Sequence, residues 1–437
     1  MIATAASRAF TDHSFAAFLA ERNEPSWLRA ERQAAWQTFQ ELAWPGRREE
    51  EWMRTDIRLF QFDRYSLPAA SGDGPAAPSG LLTEGLEVAG RSVALDSRSV
   101  AVQLQPKWAA QGVLCGSLDR LLVQHAELLR PYHLRRVIDP RLDKFSALHA
   151  ACWTGGHLLY VQRGVVVDKP FHLLSALTDG ATDLGRTLVV LEAGAEATLL
   201  AETASCAKSD SGLHCGGTEI LLAPGARLRY VHVQDWGHGV WHFAHQRAVV
   251  ERDASLQWTL AALGARLAKV NQHVALVGPG ASCQVNGVMF TEGKQHQAYH
   301  TRQHHVAPQC RSDFLYKAAL QDRSRTVWRG MIKVDPGALQ TDGYQRNDNL
   351  LLSGLARADS IPGLEIEADD VRCTHGSTTG NVDEELIFYA MCRGFTRREA
   401  IRMIVSGFFQ QIFDRITIES VRDALGRAIA ARIREYE

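Results

Sequence analysis

The chain lacks most of the features that assign a protein to a class at first sight. Its 437 residues include eight cysteines, at 115, 152, 206, 215, 283, 310, 373 and 392, and no two of them form a Cys-x-x-Cys pair. Neither a zinc ribbon nor a disulfide scaffold is indicated. Charge is nearly balanced, 48 Lys and Arg against 49 Asp and Glu, so there is no basic footprint for nucleic acid. No apolar run is long enough to cross a bilayer. The N-terminus, MIATAASRAFTDHSF, lacks the charged-then-apolar order of a secretory signal. Phosphate-binding loop, dinucleotide fingerprint and Gly-x-Ser-x-Gly elbow are all missing. These absences predict a cytoplasmic protein that binds neither membrane nor nucleic acid and hydrolyses no nucleotide by itself. The length allows two or more domains and a sizeable core.

What the chain does have is a repeat. LVVLEAGAEATLL (188–200), EILLAPGARLRYV (219–231), VVERDASLQWTL (249–260) and HVALVGPGASCQV (273–285) share one form: alternating apolar residues, a tight turn, a small residue, then a second strand. Ala195, Ala226, Ala254 and Ala281 hold one position, 31, 28 and 27 residues apart, and Ala338 recurs after 57 more. Units of period two returning at that interval predict strands wound in coils. The fold class expected is mainly β, a right-handed parallel β-helix core over 155–380, flanked by N-terminal and C-terminal α-helical regions. Gly194, Gly225, Gly280 and Gly337 are expected to supply the backbone angles of the corners. A β-sandwich is the alternative, but its strands usually come at 8–12-residue spacing without a longer period.

The flanks read as helical. An N-terminal, mainly helical region over 1–154 carries apolar stripes near 15–19, 27–42, 118–137 and 143–151, with a Pro-, Gly- and Ser-rich linker near 67–80. A C-terminal helical domain over 381–437 has readable caps: Asp383, then Thr396 with Glu399, then Ser420, with Gly394 as a stop. Because a β-helix must cover its open end to stay soluble, these last helices are expected to be a cap, a docking surface, or both.

Two polar clusters carry the candidate chemistry. In the first, within 361–394, Leu364, Ile366 and Ala368 alternate with Glu365, Glu367 and Asp369. If that phase continues, Cys373 and His375 share one face. A thiolate and an imidazole suit zinc or ferrous iron, but two ligands do not complete a site. A buried cysteine beside a hydrogen-bonded histidine is the structural alternative. The second cluster, HQAYHTRQHHVAPQCRSDFLYK (296–317), offers His304, His305, Cys310 and Lys317 as secondary candidates, with ordinary surface histidines as the alternative. Asp335, Asp342 and Asp348 are candidate carboxylates for a β-helix carbohydrate-active enzyme, although their spacing does not fix the separation such chemistry needs.

Longer motifs carry a resemblance. QRNDNLLLSG (345–354), PGLEIEADDVRCTHGSTTGNVDEELIFYAMCRGF (362–395) and the following REAIRMIVSGF resemble the SufB/SufD family of iron–sulfur cluster assembly proteins. Weaker pieces are REEEWMRTDI (48–57) and DKFSALHAACWTGGHLLYVQRGV (143–165). The length, the helical first third and the lack of a SufB-type N-terminal cysteine cluster look most like the SufD branch. The segment around Cys310, with Ser312 and Lys317, also resembles SufD. The resemblance implies a non-catalytic scaffold subunit of a SufBCD-type complex. Its partners would be a SufB-like paralogue, met through the β-helix core, and a SufC-like ABC-type ATPase, with a homodimer when alone. It implies no cofactor held stably by the lone chain, only transient iron or an iron–sulfur cluster in the complex. His375 matches the SufD histidine that faces the SufB interface, and Cys373 matches the cysteine that is the cluster ligand in SufB. The ATPase would dock on the helices that begin near Asp383, with Glu384, Glu385, Phe388, Tyr389, Arg393 and Phe395 in the docking region. A SufB-like homodimer that binds the cluster directly is the nearest alternative.

Overall fold

A computed structural model describes residues 9–68, 76–78, 80–82, 86–134 and 137–433. The linker expected near 67–80 falls largely outside these described residues. Two sheets form the core. One runs, in order, Arg98–Leu104, Gly90–Leu95, Phe171–Leu177, Glu196–Ser205, Arg227–Asp235, Ser255–Ala262, Ser282–Thr291, Arg311–Leu320, Thr341–Leu351 and Val371–Asn381. The other runs Leu114–Ser117, Gly156–Val161, Arg186–Leu191, Ser211–Leu222, Gly239–Val250, Leu267–Leu276, His296–His305, Arg325–Val334 and Arg357–Ile366. Along the chain the long strands alternate between the two sheets, and each pairs in parallel with the next strand of its own sheet. The core is a two-sided parallel β-solenoid, and the β-sandwich alternative is excluded by this pairing.

Side-chain alternation builds the interior. Inward positions such as Leu256, Trp258, Leu260, Val285, Phe314 and Trp328 are buried in one continuous cluster between the sheets. The corners explain the repeat. Gly164, Gly194, Gly225, Asp253, Gly280, Gln309 and Gln340 all have φ between 57° and 73°. In each of the middle coils the N–H of that residue donates across to the next coil, as Gly225 does to the Arg252 carbonyl at 2.8 Å and Asp253 to the Pro279 carbonyl at 3.0 Å. The residue that follows is small or polar and buried: Ala195, Ala226, Ala254, Ala281, then Cys310 and Thr341. The repeat therefore passes through Cys310 and Thr341, not Ala338, and Gly337 does not take the left-handed angle expected of it.

The N-terminal region is less purely helical than its periodicity implies. Helices Asp12–Ala20, Ser26–Glu41, Leu118–Gln124, Ala126–Leu134 and Lys144–Cys152 are present, the stripe near 118–137 being broken at His125. The strands Gly90–Leu95, Arg98–Leu104 and Leu114–Ser117 also lie there and join the solenoid sheets. Asp96 and Ser97, with φ of 49° and 66°, make the tight turn of an antiparallel hairpin without a glycine to announce it.

The C-terminal helices are Glu384–Cys392, Arg397–Phe413 and Glu419–Arg432. Asp383 caps the first by accepting from Glu385 N–H at 2.8 Å, and Thr396 with Glu399 forms a capping box on the second. Ser420 is not the third cap; Ile418 holds that position and makes no side-chain bond. The buried stripe Ile401, Val405, Phe409, Ile412, Val421, Leu425 and Ile429 packs on Val231, Val233, Val288, Phe290 and Leu315. Those five residues face out of the first sheet. The helices thus lie along the side of the solenoid, and the role of end cap expected for them is not the one they take. No helix of the described residues is long and apolar enough to cross a membrane.

Candidate functional site

The solenoid ends in two strands, Arg357–Ile366 in one sheet and Val371–Asn381 in the other. Among the described residues each is paired along one edge only, so each leaves a row of backbone N–H and C=O groups without a strand partner. The apolar side chains of this last coil are not covered: Leu355, Leu364 and Ile366 are 64%, 41% and 39% exposed. The alternation that starts at Leu364 does not run on to Cys373 as one strand. A turn at 367–370 separates the two strands and moves the chain to the opposite sheet.

Cys373 and His375 nevertheless share a face, because they are two apart on one strand. In register they lie over Gly343 and Gln345, and Cys373 packs with Ile332, Val334 and Ala338 of the interior. Both residues therefore point into the mouth of the lumen. Gly343 makes room for the thiol: a Cβ there would stand 3.2 Å from Cys373 Sγ. Cys373 is half-buried and His375 exposed. Desolvation, with a smaller contribution from Asp342, raises the Cys373 pKa above its ordinary value, against a backbone N–H bond from Gly343. The thiol is therefore protonated at neutral pH, and a metal ion would have to displace that proton.

The walls behind the pair are polar. Gln345 donates to the Gly363 carbonyl at 2.9 Å while its Oε1 is buried without a partner among the described residues. Asn349 donates to Asn347 Oδ1 at 2.9 Å and to Thr379 Oγ1 at 3.2 Å. The mouth thus offers a thiol, an imidazole, amides and hydroxyls. A thiol and an imidazole are donor types that suit a thiophilic or borderline metal. Among the described residues no group of three or more His, Cys, Asp and Glu could hold a metal ion. Gln345, Ser377 and Thr379 were not among the candidate residues, although Ser377 and Thr379 continue the period-two phase of Cys373 and His375.

The second cluster is not gathered into this mouth. His304 faces outward and meets Asp335 at 3.0 Å. His305 faces the lumen, fully buried, and meets Ser312 Oγ at 2.8 Å. Cys310 is the small corner residue of its coil, its thiol donating to the Gly278 carbonyl at 3.3 Å. Lys317 lies on the outer face of the other sheet and donates to the Phe408 carbonyl at 2.9 Å. The three candidate carboxylates are also dispersed, Asp335 on His304, Asp342 on Arg311 and Asp348 on Thr378.

A second exposed surface lies on the first C-terminal helix and the turn after it. Phe388, Tyr389, Leu386, Met391 and Phe395 are 69%, 58%, 54%, 46% and 43% exposed. Arg393 donates to Tyr389 OH at 2.8 Å, and Arg397 forms a fork on Glu384 at 2.7 and 2.8 Å. Asp383 and Glu385 are exposed beside them. Contiguous aromatic exposure rimmed by charge is the composition of a protein-binding surface.

Comparison with known proteins adds what geometry alone does not. Residues 174–408 match the model of the SUF system FeS cluster assembly SufBD core domain, and residues 14–173 match the SufBD protein N-terminal region. The chain belongs to the SufB/SufD family. The iron–sulfur cluster assembly protein SufB of Bacillus subtilis is 26% identical over 375 residues, covering 85% of this chain and 78% of that protein. A SufBD family protein of Staphylococcus saprophyticus is 27% identical over 359 residues, covering 82% of this chain and 74% of its own. One from Mycobacterium leprae reaches 36% over 227 residues, half of this chain and 58% of the relative. As a SufB/SufD-family protein the chain has the general role of an iron–sulfur assembly scaffold. The family assignment covers both the solenoid that carries Cys373 and His375 and most of the N-terminal region packed on it.

Proposed function

We propose that this chain is the SufD-like subunit of a SufBCD-type complex, non-catalytic itself, whose open solenoid end pairs with a SufB-like paralogue. One observation carries the reading: Cys373 and His375 face the mouth of a lumen whose terminal strands each leave one edge unpaired among the described residues. A related solenoid placed end to end would continue both sheets, cover Leu364 and Ile366, and bring its own ligands to the thiol and imidazole. Iron or a nascent cluster is cargo at that junction, and the partner's thiolates would complete its coordination. The exposed aromatic face around Phe388 and Tyr389 is the docking place for a SufC-like ABC-type ATPase. His304, His305, Cys310 and Lys317 are structural in this reading.

The test is coexpression with a SufB-like paralogue and a SufC-like ATPase under anaerobic conditions. The three chains are expected to copurify, and His375→Ala and Cys373→Ala to reduce iron and cluster content while leaving the complex assembled. The similarity to the B. subtilis SufB supports a second reading, a homodimer that holds the cluster directly. Stable reconstitution of the lone chain, lost in both variants, would replace the first reading by the second.

A further inference from the structure

The outer face of the second sheet carries a row that the reading above does not use. In register across neighbouring strands stand Glu219, Arg247, His273, Arg302, Met331 and Gly363. They alternate with lumen residues such as Gln246 and Gln272, so they point outward. Arg247 Nη1 donates to His273 Nδ1. A guanidinium has no acceptor to offer, so that ring nitrogen accepts, and the proton of the neutral imidazole sits on Nε2. Burial, then the charges of Arg247, Arg302 and His304, hold His273 well below its ordinary pKa and keep it neutral. Three N–H groups are then buried without an acceptor among the described residues: Arg247 Nε, His273 Nε2 and Arg302 Nε.

Asp139 and Glu219 act on Arg247 through space, against the repulsion from Arg302, but no carboxylate among the described residues accepts from the three N–H groups. Glu219 takes Arg186 Nε at 2.8 Å and the Ile138 N–H at 3.1 Å. Asp139 accepts from the Arg141 N–H at 2.8 Å. Asp335 holds His304 at 3.0 Å, and Glu365 accepts from Lys333 at 2.8 Å and reaches Arg302 only at 4.0 Å. Asn271 Oδ1, one row away, is an acceptor without a partner among the described residues and takes none of the three donors. Water would satisfy a donor but would leave the repulsion between the two guanidinium groups in place. An oxyanion answers both needs, since its oxygens accept several N–H bonds and its charge offsets the repulsion.

We propose that this row is a binding site for a small oxyanion, a phosphate or a carboxylate, held between Arg247 and Arg302 with the His273 Nε2–H directed at it. The site lies outside the second sheet, while Cys373 and His375 lie inside the lumen on the first, so it does not depend on the cluster reading.

The test is isothermal titration of the full chain with inorganic phosphate at constant ionic strength, with citrate as a second arm. Saturable one-to-one binding is expected in at least one arm. Arg247→Gln or Arg302→Gln should weaken it about tenfold or more, and His273→Gln should weaken it less. Arg311→Gln, an exposed arginine on the other sheet, should leave it unchanged. Arg302→Lys keeps the charge and removes the fork; as a partly exposed change it preserves the fold and should still weaken binding, which guards against an Arg247 variant that unfolds. Saturation by phosphate alone assigns a phosphoryl ligand, and by citrate alone a carboxylate. No saturable binding of either probe, or binding that the Arg247 and Arg302 variants leave intact, overturns the proposal.

Discussion

The two ends of the solenoid are finished in opposite ways. At the N-terminal end, Arg98–Leu104 and Leu114–Ser117 add to the sheets antiparallel, and Trp108, Val113 and Cys115 close the lumen against Ala89 and Phe171. Val100 and Val102 stay exposed on the outer hairpin, but the interior behind them is sealed. At the C-terminal end, among the described residues, no strand or helix follows across the last coil, and its inward residues are half-buried or exposed. A bare coil with apolar edge residues invites strand pairing and is normally capped. Here the three helices that could have capped it are spent on the side of the first sheet. The seal is present where the lumen carries Trp108 and absent where it carries Cys373 and His375. The open end is thus the end with chemistry, which is why we read it as an interface.

The largest expected effect tests the asymmetry itself. Trp108→Ala should cost about 3–5 kcal/mol of stability in urea unfolding, because it removes a buried aromatic plug. Leu364→Ala, at the open end, should cost under about 1 kcal/mol, since its side chain already meets solvent. Equal losses would mean that the two ends do not differ as described. Next comes pairing: the double variant Leu364→Lys/Ile366→Lys should melt as the wild type does and bind the SufB-like partner about a hundredfold more weakly in sedimentation. Phe388→Asp should weaken ATPase capture about tenfold and leave solenoid pairing intact, which would separate the two surfaces.

The smallest effect is a titration. Cys373 has its pKa raised, so the folded chain holds that proton more tightly than the unfolded chain does. The resulting contribution to stability is fully present below the ordinary thiol pKa and is lost as pH rises through the raised one. Ultraviolet thiolate absorbance of a Cys206→Ser/Cys392→Ser variant should therefore show Cys373 ionising above its ordinary value of 9.0. A thiophilic ion such as zinc should pull that ionisation down. Titration at or below the ordinary value would place the thiol outside the half-buried mouth.

Parts of this architecture were legible because they rest on local rules. Period-two alternation and the small corner residues foretold the solenoid, and the short capping side chains of Asp383 and Thr396 foretold two helix starts. Other parts turn on backbone angles that the residue names conceal. Asp253, Gln309 and Gln340 occupy left-handed corners where glycine would be the sign, so Cys310 read as a possible ligand when it is the corner equivalent of Ala281. The hairpin at Asp96 and Ser97 was hidden for the same reason. That Cys373 and His375 face the lumen mouth depends on a change of sheet at 367–370, which alternation within one strand cannot reveal. The direction taken by the last helices depends on a stripe of apolar residues on the outside of the first sheet, spread from Val231 to Leu315. The Arg247 row is likewise assembled from strands about 26 to 32 residues apart in the chain and has no local signature.

Amide hydrogen exchange on this chain, alone and mixed with a SufB-like partner, tests the central claim most directly. Fast exchange is expected at one edge of the strands Arg357–Ile366 and Val371–Asn381 in the lone chain, with strong new protection there on mixing. Unchanged exchange in both strands, with protection appearing on another face of the solenoid, would contradict it.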